Sequence, residues 1–278
     1  MLGKAIINDL TLKEDYQIFY ISYSQQVLNT SACSLTLEDL QNHIFYAFFH
    51  CAAEVDVNLC EKNYNYAIKS NSEYTRILFE KVITQMAFYI STDSVYEGNL
   101  GDYKEFEKVN PINNYAKSKL MGEIEASNLI ENLFTIRTNI FGNNSKSKSS
   151  LFEWAKRELE LGNSINGFTN ILFNPLSVEH LSEILIMLMN ENLPFGIYNL
   201  GSSEYISKYD FLLKVANFIG CKNISIIPSK YEYSNTTAKR PLNTTLNCMK
   251  IKKYLGNVDL SIDKSFNLLK NKFEHEKN

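Results

Sequence analysis

"FYAFFHC", residues 45 to 51, is a nearly uninterrupted apolar run with no polar position alternating through it. A strand with one face in water alternates polar and apolar residues. A run without alternation predicts a strand covered on both faces, as in a parallel sheet lying between helices. The segments around it repeat that theme. Upstream, "IFYIS" (18–22) is β-rich, and "LEDLQNHI" (37–44) reads as a helix with Thr36 placed to cap it. Downstream, "YAIKSNSEYTRILFEKVI" (66–83) reads as one long helix, followed by the strand "MAFYIS" (86–91). A polar loop, a helix over 113–132 and the strand "FTIRTNIFG" (134–142) complete the first half. Repeated β-α-β units with buried strands predict an α/β fold built on a doubly wound parallel sheet.

After Gly142 the stretch "NNSKSKSS" (143–150) is a low-complexity break and reads as a crossing between domains. Beyond it the pattern loosens into a helix over 151–161, a short strand in "NILF" (170–173) and a helix over 177–191. Then come the strand "GIYNLG" (196–201), a helix over 207–219, the strand "ISIIP" (224–228) and two short helices. No internal repeat is visible.

Composition narrows the function classes. The chain has 278 residues, 45% of them hydrophobic, enough for one large or two modest cores. A net charge of -3 gives no electrostatic footprint for nucleic acid or an anionic membrane surface. Cys33, Cys51, Cys60, Cys221 and Cys248 show no CxxC spacing, so no metal site and no disulfide framework is expected. There is no charged-then-apolar leader and no run near the ~18 apolar residues of a membrane span. A soluble, cytoplasmic protein is therefore expected, and Asn-x-Ser/Thr matches such as Asn235–Thr237 carry no weight.

The chemistry concentrates in "YISTDSVYEG" (89–98) and "NPINNYAKSKLMGE" (110–123). Tyr115 and Lys119 are four apart on a predicted helix, so both side chains leave one face. A Lys ammonium near a phenol favours the phenolate and lowers its pKa from about 10, which suits proton transfer. Thr92 ends a buried strand, where a parallel sheet places its ligand crevice. Its hydroxyl is placed to bond a carbonyl oxygen beside the tyrosine. His50 and His180 lie on apolar segments and read as structural.

These segments, with "IRTNIFG" and "RPLNTTLNCMKIKKYLG", resemble in order and spacing the extended short-chain dehydrogenase/reductases, most closely the dTDP-4-dehydrorhamnose reductase group, kin to the NAD-dependent epimerase/dehydratase family. The resemblance runs from residue 2 to about residue 256. It implies a Rossmann-like NAD(P)-binding domain over 1–142, with 177–200 returning to it, and a smaller α/β substrate-binding domain over 143–176 and 201–278. It implies an NAD(P)H-dependent oxidoreductase acting on a nucleotide-activated 4-keto-6-deoxysugar, in nucleotide-sugar and surface polysaccharide biosynthesis. Thr92, Tyr115 and Lys119 are then the catalytic triad, with Lys119 and Tyr115 also against the nicotinamide ribose. Gly3, Ala52, Ala53 and Asn71 fall at cofactor-side positions, and Thr92, Asn139, Asn174 and Arg240 at substrate-side ones. Arg240 suits a diphosphate, because a guanidinium binds phosphate oxygens bidentately. A homodimer is compatible with the resemblance.

Four places depart from the group's pattern. "YISYSQQ" (20–26) offers neither an acid for an adenosine ribose nor a cation for a 2′-phosphate, so NADPH is favoured over NADH only by the resemblance. Ser34 stands where an acid is usual near the adenine, and Cys51 where an Asn is usual. The largest departure is "MLGKAIINDL" (1–10), which matches only the end of a dinucleotide fingerprint, with Gly3 as its third glycine. The expectation is a first strand and two phosphate-approaching glycines lying upstream of Met1 in the natural frame. Two alternatives follow: an epimerase or dehydratase on the same scaffold, or a catalytically impaired partner subunit.

Overall fold

The computed structural model describes residues 1–13, 15–22, 32–143, 150–221, 225–233 and 237–275. The chain opens with α1 (Leu2–Thr11), then the short strands β1 (Phe19–Tyr20) and β2 (Cys33–Ser34). After β3 (Ile44–His50) come α2 (Val57–Lys62), α3 (Tyr64–Ile68), a π-helical turn at Lys69–Glu73 and α4 (Tyr74–Lys81). β4 (Ile83–Thr92), α5 (Asn114–Leu129), β5 (Leu133–Thr138) and β6 (Ile140–Phe141) follow. The second half holds α6 (Leu151–Glu160), β7 (Ile165–Phe168), β8 (Leu172–Phe173), β9 (Leu176–Ser177) and α7 (Val178–Met189). It ends with β10 (Gly196–Leu200), β11 (Ile206–Ser207), α8 (Lys208–Phe218), β12 (Ile226–Ser229), α9 (Met249–Leu255) and α10 (Ile262–His275).

The central sheet is parallel throughout, in the order β10-β5-β4-β3, as the apolar runs predict. Both of its faces are covered. Phe88 and Ile90 of β4 pack with Leu2, Ile6 and Leu10 of α1 and with Leu181 and Leu185 of α7. Ala87 and Tyr89, the alternate residues, pack with Leu78 and Phe79 of α4 and Ala126 of α5. A second core, around Phe152, Phe173, Phe211 and Phe266, belongs to the smaller lobe. Ile251, Leu255 and Leu260 join the sheet's core rather than this one. The chain therefore returns to the sheet's core over 246–260 before Ile262, Phe266 and Leu269 rejoin the second one.

Several sequence expectations need correction. The opening run forms β3, but Ile44 is 78% exposed, and most of the strand is half-buried rather than covered on both faces. Its ladder joins β4 alone among the described residues, while β1 and β2 pair with each other. The helix read over 37–44 shrinks to a 3-10 turn at Asp39–Asn42, where Thr36 does exchange hydrogen bonds with Asp39. The long helix read over 66–83 is split by the π turn, and its last residue starts β4. The strand read over 134–142 breaks at Asn139. The crossing at 144–149 and residues 23–26 of "YISYSQQ" lie outside the described residues.

Gly122 is where α5 touches the sheet. A Cβ there would collide with the Tyr89 hydroxyl and the Asn71 carbonyl oxygen, both in the buried layer between helix and strand. Gly122→Ala is expected to destabilise the fold by about 1–3 kcal/mol through overpacking, read as a lower urea midpoint at unchanged m-value. Gly3 differs. A Cβ on it would lie 3.8 Å from Cys51 Cβ, an ordinary contact, so close helix–sheet packing does not require glycine there.

Candidate active site

Thr92 is the last residue of β4, and the chain turns at once into a 3-10 turn at Asp93–Val95. Its hydroxyl donates to Asp93 Oδ1 (3.1 Å) and accepts from the Ser94 N–H (3.2 Å). Tyr115 and Lys119 occupy the first two turns of α5, whose start is capped by Asn113 accepting from the Ala116 N–H at 2.9 Å. The Tyr115 phenol lies close enough to the Thr92 hydroxyl to feel it. Burial pushes that phenol well above its ordinary value, partly offset by the nearby Thr92 side chain. This corrects the expectation of a lowered phenol pKa. Lys119 is 3% exposed, donates to the Ile90 carbonyl at 2.7 Å and sits over the Tyr89 ring. Burial pushes the Lys119 ammonium down to about 8 despite the opposing charges of Glu123 and Cys51.

Asp93 ties this strand end to the rest of the molecule. It is buried, and its second oxygen accepts from Thr244 Oγ1 (2.5 Å) and Asn139 Nδ2 (2.9 Å). Its first oxygen takes Ser94 Oγ as well as Thr92. Four donors fill one carboxylate. Thr92 can thus turn its O–H to a bound oxygen while Asp93 keeps three partners.

Asn139 is brought to the site through this carboxylate. Arg240 lies on the C-terminal segment, which is held in two places. The Asn113 side chain donates to the Lys239 carbonyl at 3.0 Å. Gly98, at φ +80°, accepts from the N–H groups of Leu242 (3.1 Å) and Asn243 (2.7 Å), and a Cβ on it would strike Pro241. The Arg240 guanidinium lies 3.4 Å from Asn58 Oδ1 on α2.

Asn71 lies in the π turn, a distortion that recurs at functional sites. Its amide donates to the Glu54 carbonyl (3.0 Å) and to Ser118 Oγ (2.9 Å), and its oxygen accepts from the Glu54 N–H (2.8 Å). It therefore fixes the loop after β3, where Ala52 is exposed and Ala53 half-buried, against α5. Asn174 is not brought to this cluster. Both its amide hydrogens go to backbone carbonyls, of Ser202 and Leu246 at 3.0 Å each, and its oxygen accepts from the Leu246 N–H. His50 and His180 are buried against Thr75 Oγ1 (2.9 Å) and Ser265 Oγ (2.8 Å). Burial holds their pKa values down, to about 3 and about 4, so both are neutral.

Sequence reading missed the polar layer beneath the site. Glu123, one turn past Lys119, receives Arg137 bidentately at 3.0 and 2.7 Å, and Ser91 Oγ at 2.5 Å. Arg137 also donates to the Tyr96 hydroxyl at 3.0 Å. A glutamate following the Tyr-x-x-x-Lys helix and an arginine inside an apolar strand were the available signals. Thr138 stands in register with Thr92, and its hydroxyl is buried without a protein partner.

A family model described as the RmlD substrate binding domain matches residues 1–267. The "Methionine adenosyltransferase 2 subunit beta" of Danio rerio is 26% identical over 265 residues, covering 90% of this chain and 81% of that protein. The dTDP-4-dehydrorhamnose reductase of Aggregatibacter actinomycetemcomitans is 24% identical over 277 residues, covering 92% and 90%. Among solved structures, the dTDP-4-dehydrorhamnose reductase of Bacillus anthracis in complex with NADP superposes with a TM-score of 0.76 at 21% identity, covering 99% of this chain and 94% of that one.

Proposed function

The chain belongs to the RmlD substrate-binding-domain family, and we propose that it is an NADPH-dependent reductase of a nucleotide-activated 4-keto-6-deoxysugar. The observation that carries this reading is the convergence of the Thr92 hydroxyl and the Tyr115 phenol at the carboxyl end of β4, with Lys119 one turn further along α5. NADPH would supply the hydride for the ketone carbon. The residues here suit its nicotinamide end. Tyr115 and Lys119 adjoin the end of β4, where Thr138 keeps a spare buried hydroxyl at the end of β5 on one side and the small residues Ala52 and Ala53 follow β3 on the other. The NADP held by the Bacillus anthracis reductase favours NADPH over NADH.

Burial suits Tyr115 to reduction, because a raised phenol keeps its proton at neutral pH until an alkoxide develops. Tyr115 gives that proton to the substrate oxygen. Thr92 turns from Asp93 to hold the same oxygen, and Lys119 steadies the phenolate that remains. Asn139, buttressed by Asp93, and Arg240 support the reading of the sugar and diphosphate contacts. Asn174 serves instead as a positioning residue for the 202 and 246 backbone. None of the five cysteines forms a disulfide, which supports a cytoplasmic location. The exposed Tyr64, Met121 and Ile124 offer a face for a homodimer, checked by light scattering.

The test is ketone-dependent oxidation of NADPH, with the product identified. One equivalent oxidised per sugar reduced supports the reductase. A changed sugar with no net oxidation points to an epimerase or dehydratase. The match to a subunit favours a second reading, a partner subunit, which predicts no turnover and capture of an enzyme that this chain stimulates. The pH profile carries its own prediction. Lys119 is charged below about pH 8 and neutral above it, so kcat/KM is expected to fall as pH rises through about 8. Lys119→Met should give a low, flat profile over the same range. A profile unchanged by that substitution removes Lys119 from the reaction.

A further inference from the structure

Among the described residues, three buried side-chain atoms meet no hydrogen-bonding partner: Glu179 Oε2, the Tyr231 hydroxyl and the Thr138 hydroxyl. The first belongs to a carboxylate whose other oxygen lies 3.8 Å from Lys272 Nζ, and the second to a ring packed on Phe168 of β7. Thr138 differs, because it ends β5 in register with Thr92 on one side and Leu200 on the other. Residues paired across a parallel ladder leave the same face of the sheet, on strands about 4.8 Å apart. Leu200 is apolar and fully buried, and so is Ile136, the next residue back on that face. Thr92 is engaged elsewhere, donating to Asp93 and accepting from the Ser94 N–H. The Thr138 hydroxyl therefore has no protein neighbour to bond, and at 4% exposure the residue is shut off from bulk water. An unmet buried hydroxyl costs stability, and one kept beside the reacting groups points to a ligand.

We propose that Thr138 is a cofactor-binding residue whose hydroxyl bonds the carboxamide of the nicotinamide ring. This rests on the NADPH proposed above, not on turnover. Thr92 and Tyr115 hold the ketone oxygen, so a nicotinamide has to come to the same strand ends to reach the ketone carbon. Its carboxamide is its one polar substituent. Thr92 and Tyr115 are committed to the substrate and Asn139 is tied to Asp93 at 2.9 Å, which leaves Thr138 as the spare hydroxyl at this strand end. A threonine hydroxyl both donates and accepts, so it serves either end of an amide. Holding the carboxamide fixes which face of the ring is turned to the sugar.

The experiment pairs ligand titration with urea denaturation of the full chain, for the wild type, Thr138→Val and Thr138→Ser. The ligands are NADPH and 2′-phospho-ADP-ribose, which keeps everything but the nicotinamide ring. Valine has the shape of threonine without the hydroxyl. Thr138→Val should weaken NADPH binding by about fivefold or more, the loss of one hydrogen bond, and leave 2′-phospho-ADP-ribose unchanged. The same variant should unfold at a higher urea midpoint than the wild type, because the unmet hydroxyl is gone. Thr138→Ser keeps the hydroxyl and should bind NADPH within about twofold of the wild type. Should the valine variant not fold, Thr138→Ala repeats the titrations. A merely structural threonine would lower the midpoint and weaken both ligands alike, and that result overturns the proposal. So does an NADPH affinity unmoved by the loss of the hydroxyl, or a wild type with no preference for NADPH over 2′-phospho-ADP-ribose. NADPH binding that depends on Thr138, with no reduction of any nucleotide sugar, would leave this assignment standing and remove the reductase.

Discussion

Tyr115→Phe should lower kcat/KM for ketone-dependent NADPH oxidation by about 10²- to 10⁴-fold, the range for loss of a positioned proton donor. The ring stays and only the hydroxyl goes, so α5 keeps its packing and the melting temperature should hold. Thr92 would still be anchored by Asp93 and the Ser94 N–H, so substrate affinity should change far less than turnover. Because Lys119 donates to Ile90 rather than to the phenol, its position also survives the substitution. The measurement is steady-state kinetics beside a binding titration with NADPH. More than a tenth of wild-type turnover in the variant would mean that another group supplies the proton.

The second large effect is on stability. Glu123 and Arg137 are 5% and 3% exposed and are bound to each other through two hydrogen bonds. Removing one partner strands a buried charge, so Glu123→Ala and Arg137→Met are each expected to cost about 3–5 kcal/mol. The double variant leaves no such charge and should be markedly more stable than the sum of the two losses predicts. Urea denaturation of all four proteins checks this. Additive losses would show that the pair is not coupled. Glu123→Ala should also disturb catalysis, since Ser91 lies one residue before Thr92 and loses its acceptor.

The parallel sheet and its strand-end chemistry were legible because both are local. Apolar runs mark β4 and β5, and the i,i+4 spacing puts Tyr115 and Lys119 on one face without knowledge of any distant residue. What stayed hidden depends on partners far apart in the chain. Thr244 completes the shell of Asp93 from 151 residues away. Nothing in "NPL" signals that Asn174 braces Ser202 and Leu246. Periodicity also fails at the π turn, because "KSNSE" is compatible with an unbroken helix, and only the contacts of Asn71 draw out the extra residue. The direction of the Tyr115 shift was misread for a related reason: spacing reveals a neighbouring charge but not the loss of water around the phenol.

The π turn at Lys69–Glu73 also limits how this chain can be shortened or regularised. Deleting one residue there would restore an ordinary α-helix and improve its local hydrogen bonding. It would also rotate everything on one side of the cut by about 100°. Asn71 could then no longer serve the Glu54 backbone and Ser118 at once. A designer seeking a more regular helix would be trading away the pin that aligns the loop after β3 with the helix of Tyr115 and Lys119, and length variants among relatives should avoid this turn.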